Sequence, residues 1–357
     1  MEDLVKNMNW EDRVVLVTGH TGFKGSWLSI YLSHLGAKVH GYALDPKTDL
    51  NLFELAGVSD FLSSDTRKDI NDLEVFKKTV REIQPKVVFH LAAQSLVTEG
   101  YEKPVETWGT NLLGTVNVLE ACRLSNSVEA VVVVTTDKVY EPTDYISRFV
   151  ESDRIGGVDP YSASKSAVEF AVSSYKRSFP RNASSRVLNY STARAGNVIG
   201  GGDWSSNRLM PDCLRAVSAE MPLILRNPSS IRPWQHVLDP LFGYISLADR
   251  MCESDGFEFS SSWNFGPSQS SLVTVNEVVS RFCEMWGTSI EILDISGTEK
   301  LLETEVLQLD SSKCYDFLGW KSKWDLDKAI EATVQWHKSL EAGKAMNEVC
   351  LNQIDDF

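Results

Sequence analysis

Tyr161 and Lys165 stand four residues apart at the head of a segment whose apolar residues, Ala167, Val168, Phe170, Ala171 and Val172, recur at helical spacing. Residues four apart on a helix share a face, so an ammonium there would lie beside a phenol. A neighbouring cation stabilises phenolate, lowers the phenol pKa and makes tyrosine a usable base near neutral pH. Tyr-x-x-x-Lys also arises by chance in many helices, so its meaning rests on what surrounds it. Upstream, the apolar run Val131 to Val134 reads as a buried strand and ends in Thr135, Thr136, Asp137 and Lys138. Hydroxyl, carboxyl and amine thus gather at the C-terminal end of a strand, where open α/β sheets bind ligands.

These groups need a scaffold, and the first third of the chain supplies its pattern. Arg13 to Thr18 is a short apolar strand, followed by Gly19, His20, Thr21, Gly22, Phe23, Lys24 and Gly25, then by the amphipathic residues Trp27, Leu28, Ile30, Tyr31 and Leu32. Strand, glycine-rich turn and helix is the order a dinucleotide site requires, because the helix N-terminus then faces a pyrophosphate. The spacing is Gly-x-x-Gly-x-x-Gly, and a glycine triplet outside this context would read as a plain turn. A second strand is expected over Lys38 to Leu44. Asp45 follows it, 20 residues after Gly25, where an acid would accept the ribose hydroxyls of NAD. No arginine adjoins Asp45 to meet a 2′-phosphate, and Asp45 could equally open a turn with Pro46. Asp65 to Asp72 reads as a polar loop in which Asp69 and Ile70 would suit an adenine edge. A helix over Leu73 to Ile83, a strand from Val87 to Gln94 running into Ala92 and Ala93, a helix over Asn111 to Arg123 and a strand near Arg186 to Ala193 complete the alternation. The fold class expected is α/β, a Rossmann-type doubly wound parallel sheet over residues 1–200.

Beyond residue 200 the pattern changes. Gly200 to Trp204 is a flexible loop and Pro211 to Ala219 a helix. Ile231 to Val237 is non-periodic and combines Arg232 with Trp234 and His236, which suits either a ligand phosphate with a stacked ring or surface packing. Residues 201–340 are expected to form a smaller α/β substrate-binding domain, with about 232–262 returning to the first. Residues 341–357 would be a tail, either a last helix or a frayed end.

Composition bounds the function. The chain has 357 residues and a net charge of −14 with no long basic run, which argues against a nucleic-acid partner. No apolar stretch approaches the ~18 residues of a membrane span. Met1 to Asp12 lacks the apolar core of a signal peptide. The six cysteines are scattered without metal-ligand spacing, as expected for reduced thiols in a cytoplasmic protein that binds no metal.

Taken in order, Thr18 to Gly25, His90 to Gln94, Thr135 to Lys138, the Tyr161/Lys165 pair and Arg194 to Asn197 resemble the extended short-chain dehydrogenase/reductase family, with its NAD-dependent epimerases and dehydratases. The likeness runs from about Trp10 to Trp336 and thins around Leu301 to Glu305 and toward the C-terminus. His20 and Lys24 in the glycine loop, Lys138 after Asp137, and the segments Ala195 to Trp204 and Arg232 to Val237 narrow it to the branch of 4,6-dehydratases that acts on CDP-glucose. Related branches carry Glu where Lys138 stands.

The resemblance implies an NAD-dependent dehydration in which Tyr161 takes the 4-hydroxyl proton, assisted by Lys165 and Thr136, and Asp137 protonates the departing 6-hydroxyl. Lys138 would either take the C5 proton or stabilise the enolate electrostatically. Cofactor contacts are implied for Gly19, His20, Thr21, Gly22, Phe23, Lys24, Gly25, Asp45, Asp69, Ile70, Leu91, Ala92, Ala93, Asn111, Thr135, Tyr161, Lys165 and Arg194. Substrate contacts are implied for Gln94, Asp137, Lys138, Asn197, Trp204, Arg208, Leu209, Arg232 and His236. A homodimer would form through a four-helix contact using Asn111 to Arg123 and Ser162 to Phe179. An epimerase would need Tyr161 and Lys165 but no acid–base partner for elimination, so Asp137 and Lys138 favour dehydration. A non-catalytic dinucleotide-binding module is the remaining alternative.

Overall fold

The computed structural model describes residues 9–143, 148–268, 271–296 and 308–357. The stretch 301–305, where the family likeness thins, lies outside the described residues. Seven strands form one sheet in the order β10-β6-β5-β4-β1-β2-β3, comprising β1 (Val14–Thr18), β2 (Lys38–Ala43), β3 (Ser64–Arg67), β4 (Val87–His90), β5 (Ala130–Val134), β6 (Asn189–Ala195) and β10 (Ser262–Phe265). Every pairing within it is parallel. A parallel sheet must be covered on both faces, and the sequence supplies this through continuous apolar runs whose alternate residues enter different cores. Along β5, Val132 and Val134 join one core and Val131 and Val133 the other. Trp27, Leu28 and Ile30 of helix Phe23–His34 cover the first face, while Val118 and Leu119 of Gly114–Arg123 and Val168 and Val172 of Pro160–Ser178 cover the second.

From β1 the chain moves outward to β2, then returns as β4 on the other side of β1. The carboxyl ends of β1 and β4 therefore flank the crevice in which such sheets bind ligands. Polar β3, Ser-Asp-Thr-Arg, is an edge strand where the sequence suggested a loop.

The smaller lobe has its own core, including Met210, Leu223, Trp234, Val278 and Phe282. Residues 231–236, expected to be irregular, form β9 (Ile231–His236). Its first half pairs antiparallel with β11 (Leu272–Thr274), its second half parallel with β7 (Asn197–Ile199), and the change of partner falls around Pro233. Each half thus answers to a different neighbour, which erases any period from the sequence. Helix Leu238–Met251 and β10 return to the main sheet. The polar tail is a helix, Met346–Asp356, whose Cys350 and Ile354 join the main core.

Candidate active site

The sheet's crevice opens toward the smaller lobe as one cleft of about 1130 Å³. Pockets for single small ligands run to about 1,000 Å³, so this one has room for two. One end is built by the glycine loop. Gly19 adopts φ +76°, and a Cβ on Gly25 would fall 2.0 Å from the Gly19 carbonyl oxygen, so the turn is as tight as glycine permits. Thr18 Oγ1 lies 2.7 Å from His90 Nδ1 and accepts from the Ala92 amide at 3.2 Å, tying the ends of β1 and β4 together. Gly22 caps helix Phe23–His34 without a side-chain hydrogen bond, so the helix start that lines the cleft can serve as an anion site. A dinucleotide fits these residues: a backbone cradle at the pyrophosphate position, Ala92 and Ala93 along one wall, Asp45 and Asp69 at the far end.

At the centre, Thr136 starts a single 3-10 turn, Asp137–Val139, and its hydroxyl donates to Asp137 Oδ1 at 2.8 Å. Asp159 caps helix Pro160–Ser178 by accepting from the Tyr161 and Ser162 amides at 2.9 and 3.0 Å, which sets Tyr161 in the first turn and Lys165 one turn on. Lys165 Nζ donates to the Val134 carbonyl at 3.1 Å. Burial pushes the Lys165 ammonium down to about 8, with the Glu169 carboxylate opposing. Burial also pushes the Tyr161 phenol up to about 12, and the Arg208 guanidinium leads the influences that lower it, followed by the Thr136 hydroxyl. Lys165 was expected to act on the phenol; the Arg208 guanidinium also bears on it. Burial raises the Asp137 carboxyl above its ordinary range, against Lys138, Thr136, Arg232 and Lys24. Lys24 itself is brought down to about 7, mainly by burial. Gly196 keeps the second wall close, because a Cβ there would lie 2.9 Å from Asp137 Oδ2 and 3.1 Å from Pro233.

Most expected residues line this cleft: Gly19, Thr21, Gly22, Phe23, Lys24, Gly25, Asp45, Asp69, Ile70, Leu91, Ala92, Ala93, Gln94, Thr135 to Lys138, Tyr161, Lys165, Asn197, Trp204, Arg208, Leu209 and Arg232. Four stand behind it. His20 is buried under the glycine loop, 2.8 Å from Asp65, with its ring filling the space beside Gly41. Asn111 bonds both backbone groups of Gln94 and the Ser164 hydroxyl, bracing the loop after β4 against helix Pro160–Ser178. His236 is buried with its ring near Trp27 and Trp324. Arg194 is 1% exposed and forks onto Glu169 at 2.9 and 2.7 Å. It does not line the cleft: residue 194 points to the sheet face opposite Ala193 and Ala195, where Glu169 of helix Pro160–Ser178 receives it.

Three features escaped the sequence reading. Arg67 lies 3.1 Å from Asp45 and is held by Asp65 at 2.6 and 2.8 Å, so an arginine does stand beside Asp45, brought there by β2–β3 pairing from 22 residues away. Arg226 and Asn227 line the cleft beside Leu225 at the end of β8 (Leu223–Leu225). Glu169, two turns after Tyr161, sits at the centre of a buried network; only its spacing from Lys165 could have signalled it.

Sheet order, crevice and glycine cradle define a Rossmann-type nucleotide-binding protein. A family model described as GDP-mannose 4,6 dehydratase matches residues 16–333, and the chain belongs to that family. It is 43% identical over 350 residues, covering 98% of this chain and 97% of the relative, to the CDP-glucose 4,6-dehydratase of Salmonella typhimurium. Among solved structures it is similar to the UDP-glucose 4-epimerase of Thermotoga maritima with UDP-glucose (TM-score 0.78, 21% identity, 92% of this chain and 99% of that one). It is likewise similar to the dTDP-glucose 4,6-dehydratase of Bacillus anthracis in complex with NAD (TM-score 0.75, 23% identity, 92% and 97%). At these identities the two structures speak for the fold.

Proposed function

We propose that the chain is an NAD-dependent 4,6-dehydratase that converts CDP-glucose into CDP-4-dehydro-6-deoxyglucose and water. The observation that carries this reading is the convergence of Thr136, Asp137, Lys138, Tyr161 and Lys165 on one cleft opposite a dinucleotide cradle, in a chain 43% identical to a CDP-glucose 4,6-dehydratase. NAD, held by the cradle of Gly19, Gly22, Gly25, Ala92 and Ala93, would supply a hydride acceptor for C4 and, once reduced, a donor for C6, with no net consumption.

The protein's residues handle the protons. Tyr161 takes the proton of the 4-hydroxyl as phenolate, supported by the Arg208 and Lys165 cations, while Thr136 hydrogen-bonds the 4-oxygen. A ketone at C4 acidifies the C5 proton, which Lys138 removes and later restores, or whose enolate it stabilises. Asp137, whose carboxyl burial shifts toward the protonated form, donates a proton to the departing 6-hydroxyl so that water leaves. Arg232, Arg208 and Asn197 hold the diphosphate. Gln94, fixed by Thr107 and Leu96, borders the hexose. A 4-epimerase would leave Asp137 without a proton to deliver, and this buried acid favours dehydration.

Val105, Trp108, Leu113 and Phe170 are 84, 38, 60 and 63% exposed on adjacent helices, which supports a homodimer formed through a four-helix contact. Six free cysteines suit a cytoplasmic enzyme. The test is turnover of CDP-glucose beside dTDP-glucose, UDP-glucose and GDP-mannose with NAD added. Keto-sugar from CDP-glucose alone supports the reading; product from another nucleotide sugar alone overturns the substrate, and none at all overturns the activity.

A further inference from the structure

The most densely bonded buried charge behind the cleft is the Glu169 carboxylate, 4% exposed. It accepts from Thr135 Oγ1 at 2.6 Å at the end of β5, from Thr192 Oγ1 at 2.7 Å on β6, and from Ser262 Oγ at 3.0 Å on β10. Arg194 donates to both of its oxygens from β6, and Arg194 is held in turn by Tyr140 Oη at 2.7 Å, itself bonded to Asn264 of β10 at 2.8 Å. One side chain of helix Pro160–Ser178 is thereby fastened to three adjacent strands. Glu169 is one helical turn from Lys165 and two from Tyr161, so all three lie along one side of that helix. Thr135 directly precedes Thr136 and Asp137. The two catalytic elements, helix start and strand end, are joined through this carboxylate.

We propose that Glu169, clamped by Arg194, is a positioning residue of the reaction, setting the distance of Tyr161 and Lys165 from Thr136 and Asp137 and maintaining the Lys165 charge. The proposal rests on the dehydratase reading above. A register held by a ring of short bonds is lost by small shifts, and misplacement by about 1 Å can cost a hundredfold in rate. The charge has its own effect. Lys165 is faced by Glu169 on its own helix, by His90 on β4, which burial keeps neutral, by Lys24 on helix Phe23–His34 and by the Val134 carbonyl. Of these, Glu169 is the anion that favours the ammonium. Burial opposes ionisation of Glu169 itself, and the Arg194 guanidinium with the Thr135 and Thr192 hydroxyls overcomes it.

Glu169→Gln leaves Arg194 buried without its carboxylate, so the deciding variant is Glu169→Gln with Arg194→Met, which removes both charges. Thermal stability is expected to return toward wild type in the pair. The kcat for CDP-glucose should stay at least about tenfold low with KM within about threefold, as for an interaction made in the transition state. The alkaline limb of the pH–rate profile should move down by about one unit, because the Lys165 ammonium has lost its anion. Thr192→Val, which removes one bond to the carboxylate, should move the limb the same way by less. Wild-type kcat and limb in the double variant, or an unmoved limb in Thr192→Val, overturn the proposal. Failure of wild-type protein to turn over CDP-glucose in the same series overturns the functional reading instead.

Discussion

On the wall formed by β5 and helix Pro160–Ser178, Thr136, Asp137, Tyr161 and Lys165 are each at most 8% exposed, whereas on the facing wall the Arg208 side chain keeps 33% exposure and Arg232 is half-buried. Burial on the first wall moves ionisations: a carboxyl rises, an ammonium falls, a phenol rises. The guanidinium groups of the second wall are exposed enough to meet an anionic ligand. Under the proposed function the first wall handles proton transfer and the second binds the diphosphate. Substitutions on the first should act on kcat and that of Arg232 on the second on KM, while Arg208, which also bears on the Tyr161 phenol, should move both.

The largest expected effect is that of Tyr161→Phe, which removes the proposed base and should lower kcat about a thousandfold with KM for CDP-glucose little changed. A rise in KM with kcat kept would break the division between the walls. Asp137→Asn should lower kcat about a hundredfold and stall the reaction after oxidation, with the C4 ketone recovered by rapid quench. Recovery of unreacted substrate alone would place Asp137 in the oxidation step. Arg232→Gln, on the binding wall, should raise KM about tenfold, or about 1.4 kcal/mol, with kcat kept.

The smallest effect separates activity from stability. Lys165 holds its proton to about 10.5 in the unfolded chain and to about 8 when folded. Between those values the unfolded chain binds more protons, so this residue makes folding stability rise with pH. The ammonium that supports Tyr161 is lost over the same range, so kcat/KM should fall above about 8. Denaturant titrations and rate profiles in one buffer series check both signs. Parallel trends would contradict the assignment.

The wall that carries Thr136, Asp137, Tyr161 and Lys165 was legible because its parts are local: a valine strand, the turn after it and a capped helix. The sheet was legible for the same reason, except at β3, an edge strand whose polar residues, mostly half-buried, carry no apolar signal. What the sequence hid depends on pairing between distant segments. Arg67 meets Asp45 through neighbouring strands, and β9 lost its pattern by changing partner at Pro233. Arg194 belongs to a motif near the cofactor end, yet the strand pleat turns it to Glu169. His20 and His236 sit in segments that line the cleft but fill space behind it.

The central claim is that a hydrogen leaves C4 and returns to C6 within one active site. Turnover of CDP-glucose carrying deuterium at C4 tests it most directly. The expected result is a 4-dehydro-6-deoxy product with the deuterium at C6. Deuterium lost to solvent, or retained at C4 of a product that is still an alcohol there, would contradict it.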